Sequence, residues 1–209
     1  MTGKPGRFAA IIAAAGSSTR MGQPKALLPF ADQTFVVHAA SVFCQAGAAL
    51  VVVTLPEGDA GTRVRQTLRA HFQGESRVVA CANDQMERGY SGSLQSGIKH
   101  CPAVDTWLMM PVDAPFFTAE LVRQLVQTLD ESHDAAVPRV AGQWGHPIAL
   151  STRLQAKVGN LHDIGGPRHL LESLGTRLGF VEWPDPRVTW NLNTPAAYRD
   201  AFAEQIPQE

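Results

Sequence analysis

The sequence predicts an α/β fold, a Rossmann-like, doubly wound and mostly parallel sheet. Three observations predict it. Short apolar runs alternate with amphipathic helical stretches from residue 8 to residue 140. The first run, Phe8–Ala15, is rich in Ala and Ile, carries no charge and stops at Gly16, as a strand buried on both faces does. The loop that follows carries Gly16, Ser17, Ser18, Thr19, Arg20, Gly22 and Lys25, and in an open parallel sheet ligands bind beyond such strand ends.

The remaining elements follow in order. Residues 34–46 place Phe35, Val36, Ala39, Val42, Phe43 and Ala46 at helical spacing, closed by Gly47. Residues 48–55 read as the second strand. Residues 59–72 carry Val64, Leu68 and Phe72 on one helical face, and 77–82 read as the third strand. Residues 91–100 predict a helix with Leu94 and Ile98 inward, and 106–110 the fourth strand. Thr118 caps a helix over 118–129 whose face is Leu121, Leu125 and Leu129, and residues 135–140 form the fifth strand. After residue 140 the pattern changes. Residues 143–150 predict an extended or hairpin segment, 160–167 a glycine-rich loop and 167–174 a short helix. Residues 178–183 and 187–190 read as two strands joined by Pro184-Asp185-Pro186. Thr194 and Pro195 start a final helix over 194–204, and residues 205–209 are expected to fray.

The length, 209 residues, predicts one domain: a nucleotide-binding core over about 8–140, then acceptor-side elements and a closing helix over about 141–204 that act as a small lid. Eighteen basic residues against nineteen acidic ones give no general attraction to nucleic acid or an anionic membrane, so any anion site must be local. No apolar run reaches membrane-span length, and no signal-peptide core precedes Phe8. Cys44, Cys81 and Cys101 are odd in number and lack Cys-x-x-Cys spacing, which reads as reduced thiols of a cytoplasmic protein.

The first loop has what a polyphosphate needs. Its glycines let backbone N–H groups turn toward an anion, and Arg20 and Lys25 add two cations. It is not a P-loop, because Gly22 is followed by Gln-Pro-Lys. It is not a dinucleotide fingerprint, because only Gly16 and Gly22 are present and they stand six apart. Further on, the fourth strand runs into Pro111-Val112-Asp113-Ala114-Pro115. The two prolines fix the turn, so Asp113 is held rigidly as a hard oxygen ligand suited to Mg²⁺. Asn191 and Asn193, two apart, are expected to point the same way from a strand end and to complete a metal shell or bind phosphate oxygens. Asn83 at another strand end can read a base edge with both donor and acceptor, and Ser93 lies in a Ser-rich helix start nearby.

Residues 14–25 resemble the signature of the molybdenum-cofactor nucleotidyltransferases, the MobA-like NTP transferase superfamily: Ala14, Ala15, Gly16, Ser18, Arg20, Met21, Gly22 and Lys25 match it, while Ala13 replaces a usual Leu. Pro111-Val112-Asp113-Ala114-Pro115 resembles the family's metal-binding element, and Asn83 to Gly97 its base- and ribose-contacting element. Gly145-His146-Pro147 is similar to the cytidylyl branch, and residues 161–168 resemble its acceptor segment, with His162 and Pro167 as departures. Asn191-Leu192-Asn193-Thr194-Pro195 is similar instead to the guanylyl branch.

The resemblance implies transfer of a nucleoside monophosphate from an NTP to the terminal phosphate of molybdopterin, with release of pyrophosphate. It implies Lys25, Arg20 and Asp113 as catalytic residues; Ala14, Ala15, Gly16, Ser17, Ser18, Gly22, Asn83 and Ser93 as nucleotide-binding; Asp113 with Asn193 or Asn191 on Mg²⁺; and His146, Asp163 and Arg168 on the acceptor. CTP is expected over GTP. The alternatives are a guanylyltransferase, a sugar- or polyol-phosphate nucleotidyltransferase, an NAD-binding oxidoreductase module, and a non-catalytic chaperone of a client molybdoenzyme.

Overall fold

The computed structural model describes residues 6–16 and 23–202. In chain order the elements are β1 (Phe8–Ala13), β2 (Pro29–Phe30), β3 (Gln33–Thr34), α1 (Phe35–Ala46), β4 (Leu50–Leu55), α2 (Gly58–His71), β5 (Val78–Ala82), α3 (Gly89–Ile98), β6 (Thr106–Pro111), α4 (Ala119–Thr128), β7 (Ala135–Val140), β8 (Gln143–Trp144), β9 (Ile148–Ser151), α5 (Gln155–Gly159), α6 (Pro167–Glu172), β10 (Leu178–Glu182) and α7 (Pro195–Phe202).

The main sheet runs in the order β10-β7-β9-β6-β1-β4-β5, with β8 paired to β7, while β2 and β3 form a separate ribbon. β1 pairs in parallel with β4 and β6, β4 with β5, and β10 with β7. The doubly wound, mostly parallel sheet expected from the alternation of elements is therefore present. Its centre is β1, whose side chains serve both faces. Phe8, Ala10 and Ile12 enter the core packed by α1, α2 and α4, whereas Ile11 and Ala13 enter the core packed by α3, α5 and α6. Ile11 and Ile12 are fully buried, and each such burial stabilises by about 1.5–3 kcal/mol.

The strand β9 runs antiparallel to both β6 and β7. Its amino end, Ile148, therefore lies beside Met109 near the carboxyl end of β6. The loop over residues 145–147 thus opens at the same rim as the ends of β1 and β6, although it precedes its strand. The expected extended segment over 143–150 supplies β8 and β9, each paired antiparallel to β7.

Caps form where the side chains call for them. Thr118 Oγ1 accepts from Leu121 N at 3.2 Å, and Thr194 Oγ1 accepts from Ala197 N at 3.1 Å. The strand expected at residues 187–190 does not form. Pro186–Thr189 is a 3₁₀ turn, because the Asp185 carboxylate accepts from Arg187 N at 3.0 Å and Pro186 fixes the first turn position. The β-branched pair Val188 and Thr189 suggested a strand, but Val188 is buried as a single anchor. The helix α5 and the β2–β3 ribbon were not expected; each is too short for its periodicity to register. Among the described residues no helix is long and apolar enough to cross a membrane, and the three cysteines are unpaired.

Two contacts carry testable consequences. Helix α3 lies so close to β1 that a Cβ on Gly97 would sit 2.5 Å from Ile11 Cγ2. Asp134, ahead of β7, binds Arg153 (Nε to Oδ1, 2.8 Å) and Arg177 (Nη2 to Oδ1, 2.8 Å), which ties β7 to β10 and to the turn after β9. These arginines, Arg177 foremost, hold the Asp134 carboxyl at about 2 against an ordinary 3.8. Gly97→Ala is expected to destabilise by about 1–3 kcal/mol through overpacking, read as a lower urea midpoint. The Asp134 contribution is complete above pH 3.8 and is lost as pH falls through about 2. Asp134→Asn should therefore flatten the acid limb of the stability–pH curve in that window, measured by urea titrations at successive pH values.

Candidate active site

A cavity of about 350 Å³ opens beyond the carboxyl ends of β1 and β6. Its lining brings together seven residues expected from sequence: Ala14, Ala15, Gly16, Lys25, Asn83, Ser93 and Asp113. Ser17, Ser18, Arg20 and Gly22 lie outside the described residues.

Three chain segments meet at its charged end, and the backbone explains how. Val112 N donates to Ala13 O at 3.0 Å, locking the end of β6 to the end of β1. Ala114 N donates to Pro111 O at 3.3 Å, closing the turn that presents Asp113. Leu192 N donates to Asp113 O at 2.8 Å, and Leu192 is buried in the core, so the tail is stitched to the same turn. Lys25 begins a 3₁₀ turn, Lys25–Leu27, anchored by the buried Ala26 and Leu28. The result is an ammonium between two oxygens: Lys25 Nζ stands 2.6 Å from Asp113 Oδ2 and 2.6 Å from Asn193 Oδ1.

The arrangement is suited to a divalent cation. Asp113 Oδ2 and Asn193 Oδ1 already converge on a positive charge. Among the described residues no three His, Cys, Asp or Glu side chains come together as a metal cage. A carboxylate with one amide oxygen is the donor set of Mg²⁺ or Mn²⁺ held largely by substrate phosphates.

Asn191 does not join Asn193. No strand runs there. Asn193 N donates to Asn191 O at 2.9 Å, a three-residue turn that breaks the period-two geometry, and Asn191 lines a separate cavity with Trp190, Leu192, Ala197, Asp200 and Ala201. Asn83 is buried and largely committed within its loop. Its Oδ1 accepts from Gln85 N at 3.0 Å and from Ser96 Oγ at 3.0 Å, and its Nδ2 donates to Ser93 Oγ at 3.0 Å. One amide N–H remains for a base edge, fewer groups than expected from sequence. Ser93 Oγ in turn donates to Gly89 O at 3.3 Å.

Of the three residues expected on the acceptor, His146 comes near Asp113. Burial pushes its imidazole down to about 4, partly offset by the Asp113 charge, so the ring is neutral at pH 7. His146 N donates to Val188 O at 3.1 Å, and its Nδ1 is buried without a hydrogen-bond partner. Asp163 is exposed in the loop before α6. Arg168 is exposed, pairs with Glu172 at 2.9 Å and stacks over Trp144 at 5.2 Å. Neither lines the cavity, although Gly166 lies against Ser91 at the first turn of α3.

Gly89, expected in the base- and ribose-contacting element, lines the cavity, and sequence reasoning missed Met86 and Tyr90 beside it. Tyr90 directly precedes the Ser-rich segment and lies outside the helix expected over 91–100. Its hydroxyl is buried without a hydrogen-bond partner, and burial together with the Asp113 charge raises its pKa.

The MobA-like NTP transferase domain matches residues 10–178. The chain belongs to this family. It is a nucleotidyltransferase of MobA-like type. It is 29% identical over 201 residues to a protein of Bacillus mycoides (strain KBAB4) named probable molybdenum cofactor guanylyltransferase, covering 93% of this chain and 96% of that one. The crystal structure of Rv0371c from Mycobacterium tuberculosis H37Rv superposes with a TM-score of 0.80 at 23% identity, covering 96% of this chain and 100% of that one. A manganese complex of Rv0371c superposes with a TM-score of 0.73 at 23% identity, over 94% and 98% of the two chains. A nucleotidyl transferase from Methanothermobacter thermautotroptrophicus, Mth528, gives 0.76 at 23% identity, over 96% and 99%.

An unpaired buried hydroxyl is a cost, about 1–3 kcal/mol when no partner compensates it. Tyr90→Phe in this MobA-like transferase is therefore expected to keep or raise the midpoint of thermal unfolding. A lowered midpoint would mean that the hydroxyl has a partner in the folded state.

Proposed function

We propose that the chain transfers a nucleoside monophosphate from GTP to the terminal phosphate of a molybdopterin-type acceptor and releases pyrophosphate. The observation that carries this reading is the Lys25 ammonium held between Asp113 and Asn193 at the mouth of a cavity whose rim begins at Gly16. GTP replaces the CTP expected from Ala15 and Gly145-His146-Pro147. It is favoured by the guanylyl name of the Bacillus mycoides relative and by the Asn191-Leu192-Asn193-Thr194-Pro195 segment.

In this reading an oxygen of the acceptor phosphate attacks the α-phosphorus of the nucleotide, and the bond to the bridging oxygen of the β-phosphate breaks. The attacking phosphate is already anionic near neutral pH, so no strong general base is needed. His146, neutral at that pH, offers hydrogen bonding without competing for the Asp113 charge. Positioning and charge neutralisation carry such transfers. Lys25, with Arg20, neutralises charge gathering on the leaving pyrophosphate. Gly16, Ser17, Ser18 and Gly22 grip the phosphates, and Ala14, Ala15, Asn83 and Ser93 form the nucleoside side. His146, with Asp163 and Arg168 from the outer loop, faces the acceptor.

Asp113 and Asn193 would hold a divalent ion, Mg²⁺ or Mn²⁺, which supplies further charge neutralisation to the triphosphate when bound. Residues 8–140 act as the nucleotide core and 141–204 as the acceptor side of one domain.

Asp113→Asn and Lys25→Met are each expected to lower kcat by about 10²–10³, the usual loss when one stabiliser of developing charge is removed. Pyrophosphate release with a molybdopterin acceptor measures this, and near wild-type turnover in Asp113→Asn would sink the mechanism. The same assay should give a higher kcat/KM with GTP than with CTP; the reverse order would restore the cytidylyl assignment.

A further inference from the structure

Lys25 takes the place a metal would take. Asp113 Oδ2 and Asn193 Oδ1, the two oxygens assigned above to the divalent ion, are both 2.6 Å from its Nζ. The side chains of Lys25 and Asp113 are 19% and 11% exposed, so little water screens the pair. One electrostatic well cannot hold an ammonium and a divalent ion together, because the two cations would repel at contact distance.

The two partners differ in freedom to move. The backbone at Asp113 is fixed on both sides, by Val112 N to Ala13 O at 3.0 Å and by Leu192 N to Asp113 O at 2.8 Å. Lys25 reaches in on a four-carbon stem from a rim turn that directly follows the phosphate loop. A swing of that stem toward the cavity would exchange carboxylate and amide oxygens for phosphate oxygens.

We propose that Lys25 is the resident cation of the divalent-metal site, held there in the nucleotide-free protein and exchanged for the metal only when a metal-bound triphosphate offers the ammonium new oxygens. This rests on the functional reading above. It makes the metal–nucleotide complex the true substrate. Free metal then binds poorly to the empty protein, and metal and nucleotide strengthen each other's binding reciprocally. Lys25 thereby has two successive roles: it neutralises Asp113 before substrate arrives, and the phosphates afterwards.

The test is Mn²⁺ binding, followed by paramagnetic resonance of the free ion, in wild type, Lys25→Met, Lys25→Gln, Asp113→Asn and the Lys25→Met, Asp113→Asn double variant. Each is measured alone and with a non-hydrolysable αβ-methylene analogue of GTP. Both lysine variants should bind Mn²⁺ without nucleotide about tenfold more tightly than wild type, the equivalent of one charge-assisted hydrogen bond of about 1.5 kcal/mol. Asp113→Asn should abolish that gain when combined with Lys25→Met. Two lysine variants guard against a folding defect in either one. Equal Mn²⁺ affinity in wild type and both lysine variants, with Asp113→Asn still losing nucleotide-dependent Mn²⁺, overturns the exchange and leaves the metal assignment standing. Nucleotide-dependent Mn²⁺ binding that Asp113→Asn leaves intact overturns the metal assignment and the exchange with it.

Discussion

The structure depends on one constraint, that β1 is buried on both faces and on both edges. Its neighbours β4 and β6 satisfy its backbone in parallel register, and its side chains alternate between two cores. A strand so placed tolerates no charge, which is why Phe8–Ala13 is built from Phe, Ala and Ile alone. Only at Ala14–Gly16 does the chain escape the sheet, so polar chemistry begins there. The position of the cavity follows from where burial stops.

The charged end of the site is assembled by backbone rather than by side-chain packing. Hydrogen bonds from Val112 and Leu192 bring a strand end and a tail segment to one turn, and Lys25 arrives from a third segment. The carboxylate is thus set by the backbone while the ammonium is carried on a long side chain, a division that suits chemistry in which charge is moved rather than protons.

Much of this was legible in the sequence because local and tertiary demands agree. In Phe8–Ala15, Thr118–Leu129 and Thr194-Pro195 each local signal points the same way as the fold. Lys25 and Asp113 were legible because glycine and proline around them restrict what those stretches can be. Legibility failed where a side chain overrides its neighbours: Asp185 turned Val188 and Thr189 into a 3₁₀ turn, and the backbone bond between Asn191 and Asn193 undid the alternation assumed for them. Strand direction also escaped notice. Nothing in Ile148–Ser151 says that it runs against β6. Tyr90 was not singled out because a lone tyrosine carries no spacing signal, and its unpartnered hydroxyl shows only in the fold.

Gly145 and Val188 meet main chain to main chain. A Cβ at residue 145 would lie 2.5 Å from Val188 O and 2.9 Å from its carbonyl carbon, so the loop before β9 and the tail touch backbone to backbone. His146 N adds a hydrogen bond to the same carbonyl. A rotamer change cannot absorb displacement at such a joint. The stretch bearing His146 and the stretch leading to Asn193 are therefore joined main chain to main chain, a link that side-chain repacking alone does not loosen.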